Sequence, residues 1–223
     1  MEKPTVTVII PIYNYGQYLD EAIQSVLDQS VKPHEIIVVS DGAIDNSVEI
    51  ARKYPVTIIE KQNGGLASAR NAGIRAATGT YVMSFDSDDI MRPDCIKEHL
   101  KLAAPNTIVT CGLMAFGNES YTARPRVATV EILLETNCIY SNSLFPRQAW
   151  IDVGGFDEGE IMRKGWEDRE FWLRCLGAGY QSVVSHEICL LWRRHPQTMS
   201  STTADPNAKL LQDYIYQKNK YLL

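Results

Sequence analysis

The first half of the chain alternates between short apolar runs and longer segments with helical spacing. Residues 5–12 form a continuous, β-branched apolar run, which is typical of a strand buried on both faces. Residues 17–29 place apolar side chains three and four positions apart, which predicts an amphipathic helix. Strands that alternate with helices in this way favour a parallel sheet covered on both faces. The alternation continues through predicted strands at 35–40, 56–60 and 80–85 and predicted helices at 45–54, 65–77 and 92–104.

The second half has a less regular order of elements. Its patterns predict strands at 107–115, 139–145 and 181–191 and helices at 128–136, at 168–178 and from about 206. The chain has 223 residues and no Gly/Ser-rich or Pro-rich linker, so we expect one α/β domain. Within it we distinguish a first half, 1–105, from a second half, 106–223.

Charge and cysteine content exclude several classes of protein. A net charge of -5 with no basic run argues against a nucleic-acid partner, and a bound polyanion would need a bridging cation. The five cysteines are widely spaced without a CxxC pair, so we expect reduced, mostly buried thiols and neither a disulfide framework nor a zinc cluster. No apolar run approaches the ~20 residues that span a bilayer. We therefore expect a cytoplasmic protein without a transmembrane segment, which is compatible with peripheral contact at the inner membrane face.

Polar residues follow three of the predicted strands where each strand ends. Tyr13 and Asn14 follow the first strand, Asp41 the second, and the segment 86–88 the fourth. An open parallel sheet binds ligands at the carboxyl ends of its strands, so we expect these residues at one site. The turn IPIYNYG is not GxGxxG, and the chain has no GxxxxGK[ST]. A dinucleotide-binding dehydrogenase and a P-loop phosphotransferase are therefore disfavoured.

The stretch MSFDSDD, residues 83–89, supports two interpretations. On an extended segment Asp86 and Asp88 point the same way, so both carboxylates could face one cation. Carboxylate oxygens suit Mg²⁺ or Mn²⁺, which also bind substrate phosphates. Alternatively, Asp88 or Asp89 caps the following helix, with Pro93 in its first turn.

Four ordered segments resemble glycosyltransferase family 2, the inverting nucleotide-sugar enzymes of the GT-A fold. The resemblance covers roughly residues 5–195 and implies a Rossmann-like, mostly parallel sheet with an acceptor-binding second half. The segments are VTVIIPIYNYGQYLDEAIQSVLDQ, EIIVVSDGAIDNS, NGGLASARNAGIRAATGTYVMSFDSDD and GWEDREFWLRC.

The resemblance implies a donor site for a nucleoside diphosphate sugar. Asp41 would contact the base or ribose, although Asp41-Gly42 could be only a turn, and Arg70 would hold the site through charge, although it could be a solvated helix residue. Where the family commonly has two acidic residues, this chain has Ser40 and Asp41. The resemblance also implies that Pro11, Tyr13 and Asn14 lie against the base, although Tyr13 could be a packed aromatic. It further implies that Asp86 faces the ribose, with Ser87 beside it, and that Asp88 binds the metal.

The resemblance also implies the catalytic groups. Asp168 would be the general base, and Glu167 would orient the acceptor or support the pocket, although Asp168 could merely be a favourable charge at a helix N-terminus. His195 would complete a Mn²⁺ site, although a His before Pro is often a turn residue. Arg193 and Arg194 could face the diphosphate or solvent. Three aromatic residues are better read as core than as sugar-stacking groups: Trp150, Phe156 and Trp166.

The leading hypothesis is an inverting glycosyltransferase that depends on Mn²⁺ or Mg²⁺. It would move a sugar from a nucleoside diphosphate sugar, with a UDP-sugar as the default donor, to a hydroxyl of a glycan or lipid-linked glycan. Asp89 keeps the helix-capping role in this hypothesis. The rivals are a non-catalytic nucleotide-sugar-binding module and a nucleotidyltransferase, although the latter would need a Gly-rich, basic phosphate loop after the first strand.

Overall fold

The computed structural model describes residues 3–199 and 203–223, which contain one mixed sheet with helices packed against it. The strands are β1 Val6–Ile12, β2 Glu35–Asp41, β3 Thr57–Lys61, β4 Tyr81–Ser84, β5 Ile90–Met91, β6 Thr107–Gly117, β7 Tyr121–Ala123, β8 Leu144–Pro146 and β9 Gln181–Arg194. The α-helices are α1 Gly16–Leu27, α2 Ser47–Ala51, α3 Leu66–Ala76, α4 Cys95–Leu100, α5 Val130–Glu135, α6 Arg147–Asp152, α7 Glu167–Gly177 and α8 Ala208–Asn219.

The sheet has the order β3-β2-β1-β4-β8-β6-β9-β5, with β7 paired to β6. Long parallel ladders join β1 to β2 and β4, β2 to β3, and β6 to β9, whereas the antiparallel pairings are short. The chain leaves β1 toward β2 and later returns to its other side as β4, which opens a crevice at the carboxyl ends of these strands. Pairing of β4 with β8 and of β5 with β9 joins the two predicted halves in one sheet. The predicted α/β fold class is confirmed.

Two apolar clusters cover the two faces of the sheet. Val8 and Ile10 of β1 pack with α1, whereas Ile9 between them packs in the cluster that contains residues of α3 and α7. Successive strand residues point to opposite faces, so a strand covered on both sides is apolar throughout. Each of these side chains is fully buried, which contributes about 1.5–3 kcal/mol per residue.

Several predicted bounds were wrong. The helix expected at 92–104 is limited to α4, because Pro93 precedes its N-cap Asp94 and Thr107 Oγ1 accepts the Ala104 N–H at 2.7 Å in a turn after it. The strand expected at 139–145 is only β8, and the sequence did not predict β5, β7 or α6.

Two further features concern the cysteines and the helices. All five cysteines are free and buried, as expected. Cys95 and Cys189 lie together with His99, and Cys111 lies beside these two thiols, a grouping that the sequence spacing did not predict. Within residues 3–199 and 203–223, none of the helices has the length and apolar character required to cross a membrane.

Candidate active site

A cleft of about 690 Å³ opens at the carboxyl ends of β1, β2 and β4 and is closed on its other side by the start of α7. Of the eleven residues predicted for the site, all except Asn14 and His195 line this cleft in the described chain. The nine are Pro11, Tyr13, Asp41, Arg70, Asp86, Ser87, Asp88, Glu167 and Asp168.

Arg70 links the acidic segment after β4 to the acidic pair at the start of α7. Its guanidinium donates to Asp86 Oδ1 at 2.9 Å through Nη2 and to Glu167 Oε1 through Nη1. Nε donates to Ser84 Oγ at 2.9 Å. Arg70 is only 2% exposed, so its interpretation as a solvated helix residue is wrong. The paired carboxylates hold its pKa above the ordinary value, against burial, and the guanidinium stays charged.

The acidic segment after β4, residues 86–89, forms a turn. The prediction that Asp86 and Asp88 lie on an extended segment was therefore wrong. The Asp89 N–H donates to the Asp86 carbonyl at 3.3 Å, and β5 begins at the next residue. Asp86 and Asp88 nevertheless both reach the cleft. The remaining Asp86 oxygen, Oδ2, accepts the Ser141 hydroxyl at 2.9 Å.

The capping role expected for Asp89 was wrong. Asp89 is buried, and its Oδ1 accepts the Arg193 N–H at 2.8 Å, which ties the turn to β9. Burial and the neighbouring charges of Asp88 and Asp86 raise the pKa of Asp89 well above its ordinary value. Asp89 therefore anchors the turn to β9, and α4 begins after Asp94 instead.

His195 lies behind Asp88 instead of in the cleft wall. Its Nε2 is 3.0 Å from Asp88 Oδ2, and its Nδ1 is 3.3 Å from Gln197 Oε1. The imidazole is held by ring contacts with Tyr15 and Tyr18, at centroid distances of 5.6 and 5.0 Å. When Nδ1–H donates to Gln197, a lone pair of Nε2 faces the carboxylate, and a proton or a cation must lie between them.

These two atoms suit a divalent ion. Adjacent ligands of an octahedral ion with bonds of about 2.1 Å lie about 3 Å apart, as Asp88 Oδ2 and His195 Nε2 do. Burial, followed by the charge of Asp86, raises the pKa of Asp88, and a cation would offset this cost of ionisation. The donor set of carboxylate and imidazole fits Mn²⁺ as well as Mg²⁺.

The acidic pair stands in the first turn of α7, after Trp166, whose φ of 60° lies in the left-handed region. Glu167 is 3% exposed and is bound to Arg70, and its pKa is raised to about 7 because burial outweighs the opposing charge of that guanidinium. Asp168 is partly exposed in the cleft, where its Oδ2 accepts the Asn137 amide at 2.9 Å. Its pKa is also raised by burial, with Arg70 acting in the opposite direction. Asp168 is thus the member of the pair that a bound molecule can reach.

The end of the cleft beside β1 and β2 contains the residues expected around a base. Tyr13 is 50% exposed on the cleft wall, so its interpretation as a packed aromatic is wrong. Asp41 is buried and accepts three N–H groups, from Lys61 Nζ at 2.7 Å, Gly64 at 2.9 Å and Gly65 at 2.8 Å. Asn14 instead accepts the Ile44 N–H at 2.9 Å, outside the cleft.

Three residues near the predicted site lie outside the cleft. Arg193 stacks between Tyr18 and Phe116, and neither it nor Arg194 lines the cleft within the described chain. Ser40 is buried in β2 and does not line the cleft either.

Of the three aromatic residues assigned to the core, Phe156 is buried and stacked on Phe171 at 4.2 Å, and Trp150 packs against the core and donates to Asn71 Oδ1. Trp166 is half-buried against the same core, as expected, and it also lines the cleft. The sequence reasoning missed Asn137 and Ser141, since single polar residues in an irregular segment carry no pattern.

A family model extends the resemblance seen in the four segments. The description of that model is glycosyl transferase family 2, and it matches residues 7–157 of the chain. The chain belongs to glycosyl transferase family 2. The matched range includes the ends of β1, β2 and β4, whereas the acidic pair of α7 lies beyond it.

Curated relatives in the family are longer than this chain. An uncharacterized glycosyltransferase of Rickettsia prowazekii (strain Madrid E) is 31% identical over 217 residues, which are 90% of this chain and 67% of that protein. EpsJ of Bacillus subtilis (strain 168), also an uncharacterized glycosyltransferase, is 39% identical over 129 residues, 55% of this chain and 38% of EpsJ. Chondroitin synthase of Pasteurella multocida (strain Pm70) is 40% identical over 107 residues, 44% of this chain and 11% of the synthase.

Solved structures share the fold. TarS of S. aureus, residues 1–349 in complex with UDP-GlcNAc, superposes with a TM-score of 0.75 at 20% identity, covering 95% of this chain and 65% of that one. The mannosyltransferase PcManGT of Pyrobaculum calidifontis, in complex with GDP-Man and Mn²⁺, gives a TM-score of 0.70 at 20% identity, covering 96% and 70%. The predicted GT-A fold is confirmed by these neighbours.

Proposed function

We propose that this chain is a metal-dependent inverting glycosyltransferase that moves a sugar from a nucleoside diphosphate sugar to a hydroxyl of a glycan acceptor. The observation that carries the proposal is the double contact of Arg70 with Asp86 and Glu167, because it joins the acidic turn and the acidic pair in one cleft. Family membership supports the same activity. In this proposal residues 1–105 hold the donor, and residues 106–223 hold the acceptor and the catalytic base.

The donor is proposed to enter with its base against Pro11 and Tyr13 and its ribose near Asp86. Asp41 acts on the base side by fixing the backbone of Gly64 and Gly65. A uridine nucleotide is the default, which the UDP-GlcNAc complex of a neighbour with the same fold supports. The GDP-Man complex of the other neighbour makes guanosine the comparison to test.

Asp88 and His195 are proposed to hold Mn²⁺ or Mg²⁺. When bound, the ion supplies positive charge to the diphosphate that leaves. The cleft wall presents more carboxylates than cations, which are Arg163 and the paired Arg70, so the donor diphosphate would gain from such a charge there.

Asp168 is proposed to take the proton of the acceptor hydroxyl. Its raised pKa makes its carboxylate a stronger base than a solvated aspartate. The Asn137 amide and the N–H of Arg169 orient it, at 2.9 and 2.7 Å. Glu167 supports this position through Arg70 and does not itself need to meet the acceptor.

The acceptor is proposed to be a glycan or a lipid-linked glycan, reached in the cytoplasm or by peripheral contact with a membrane. Polysaccharide synthases among the relatives, such as chondroitin synthase, support a glycan. A non-catalytic nucleotide-sugar-binding module is the alternative.

The test is a panel of nucleotide sugars screened for Mn²⁺-dependent thermal stabilisation, followed by release of nucleoside diphosphate from the best donor. Asp168→Asn should keep donor binding and lower the rate by about 10²–10⁴-fold. Asp213→Asn, on the exposed side of α8, is the matched control and should keep the rate. Failure of every donor to stabilise the protein with metal would refute the proposal. Binding without any turnover by the unsubstituted protein would favour the non-catalytic module.

A further inference from the structure

Three thiols and one imidazole meet in the interior between α4, β6 and β9, and none of these four residues lines the cleft. Cys95 and His99 stand one turn apart on α4, Cys111 lies on β6 and Cys189 on β9. The first three are 0% exposed and Cys189 is 2% exposed. Their sequence spacing gave no sign of this, since it spans three elements that meet only in the folded chain.

The potential ligand atoms are close together. One ligand atom each of Cys95, His99 and Cys189 lies within 4.8 Å of the other two. The Cys111 thiol is within hydrogen-bonding reach of the Cys95 and Cys189 thiols. Sulfur ligands of a tetrahedral ion with bonds of about 2.3 Å lie about 3.8 Å apart. The group of three would therefore contract around an ion, and Cys111, which lies outside that group, would move in from beside the two thiols.

The imidazole is an independent indication of a ligand. Its Nδ1 lies 2.8 Å from the Cys95 carbonyl oxygen, to which an Nδ1–H can donate. Its Nε2 is buried and has no hydrogen-bond partner among the described residues. A buried nitrogen lone pair without a partner is unfavourable. Metal-bound histidines typically have one ring nitrogen fixed by a backbone carbonyl while the other binds the ion.

We propose that Cys95, His99, Cys111 and Cys189 form a tetrahedral Cys₃His site for Zn²⁺ that stabilises the fold. Three thiolates and one imidazole are a frequent ligand set of structural zinc. The Asn142 amide, which lies 3.4 Å from Cys111 Sγ, donates to a ligand sulfur from outside the set. A disulfide would use only two of the thiols and leave the third and the imidazole unsatisfied. Complete burial also keeps these thiols from exchange partners.

This site would stabilise the back of the acidic turn. The Cys189 carbonyl accepts the Arg92 N–H at 2.9 Å, next to the pairing of β5 with β9. Four residues further along β9, Arg193 donates to the Asp88 carbonyl through Nε at 2.8 Å and to Asp89 through its N–H. Zinc would thus fix the strand that holds the turn, without contact with the cleft and independently of the proposed transfer reaction.

The test is the metal content of protein purified without a polyhistidine tag or chelator. We expect about one zinc per chain, and a Co²⁺-substituted protein should show thiolate-to-metal charge-transfer absorption. Cys189→Ser and Cys111→Ser should lose the metal, whereas Cys138→Ser and Cys175→Ser, at buried cysteines outside the cluster, should retain it. Asp88→Asn should also retain it, which separates this site from the cleft.

Zinc at background level after reconstitution of the unsubstituted protein would overturn the proposal, as would a disulfide among these cysteines in the mass spectrum. Retention of zinc in both cluster variants would overturn it as well. If those variants do not fold, the Co²⁺ spectrum of the unsubstituted protein tests the ligand set instead. A spectrum of bound Co²⁺ without thiolate-to-metal charge-transfer bands would contradict three cysteine ligands.

Discussion

Replacing Arg70 by methionine tests the link between the two acidic segments most directly. The unbranched apolar side chain keeps much of the volume but removes the contacts with Glu167, Asp86 and Ser84. Glu167, at 3% exposure, then has no guanidinium partner. Removing one partner of a buried ion pair costs about 3–5 kcal/mol. For a chain of this size that corresponds to a decrease in Tm of about 6–20 °C.

The cost should depend on pH. Glu167 has a pKa of about 7 in the folded chain against 4.5 as the ordinary value. The folded chain therefore binds the Glu167 proton more tightly than the unfolded chain does. The stability that this proton contributes is complete below about pH 4.5 and is lost as the pH rises through 7. The change amounts to about 3 kcal/mol in the free energy of unfolding. Without Arg70 the ionised carboxylate is less favourable still. The Arg70→Met variant should lose more stability at pH 8 than at pH 5.

The measurement is urea unfolding at pH 5 and pH 8. It compares the free energies of unfolding of the single variants Arg70→Met and Glu167→Gln and of the double variant. The cost of Arg70→Met should fall in the Glu167→Gln background, because the buried carboxylate is then absent and only the more exposed Asp86 loses the guanidinium. Arg52→Met is the matched control: its pair with Glu60 is 61% and 57% exposed, and such pairs contribute about 0–1 kcal/mol. An Arg70→Met cost that equals the control, or that does not change between pH 5 and pH 8, would refute the reasoning.

Three further predictions follow from individual contacts. Asp88→Asn should weaken Mn²⁺ binding by at least about tenfold, measured by calorimetry with the metal alone, because it removes a ligand charge; unchanged affinity would place the ion elsewhere. Gly155→Ala should cost about 1–3 kcal/mol of unfolding free energy, since its φ is +83° and a Cβ would lie 2.9 Å from Asn71 Oδ1. Gly154→Ala, at φ +77° with no described atom within 4 Å, should cost less, and equal costs would rule out the contact with Asn71 as the cause. Asp41→Asn should cost about 1–3 kcal/mol by chemical unfolding, because one of three N–H donors loses its acceptor; no change would mean that these donors find water.

The elements that position the site could be predicted because their signals are local. The apolar run of β1 and the helical spacing of α3 each lie within a dozen residues, and strand alternation then orders the polar strand ends along one edge. The interpretation of Asp86, Asp88 and Asp168 depended on the family resemblance, since two carboxylates in a short segment are equally consistent with a helix cap.

What could not be predicted depends on contacts between distant segments. Asp89 is held by Arg193 across 104 residues, and Asn137 reaches Asp168 across 31. The turn at 86–89 likewise forms where β5 pairs with β9, and no pattern within MSFDSDD encodes that pairing. The thiol cluster requires three elements to pack before any two of its members meet.

The left-handed backbone of Trp166 links the stability of this chain to the shape of its cleft. A bulky residue at φ 60° costs about 1–3 kcal/mol relative to glycine, and this residue sets the direction in which α7 begins. Its side chain lines the cleft and covers Arg169, with the guanidinium 5.2 Å from the ring centroid. Glycine at this position would relieve the torsion, but it would also remove the packing of the indole on the core, its contact with Arg169 and a wall of the cleft. The same side chain that shapes the cleft therefore offsets the cost of the backbone torsion that carries it.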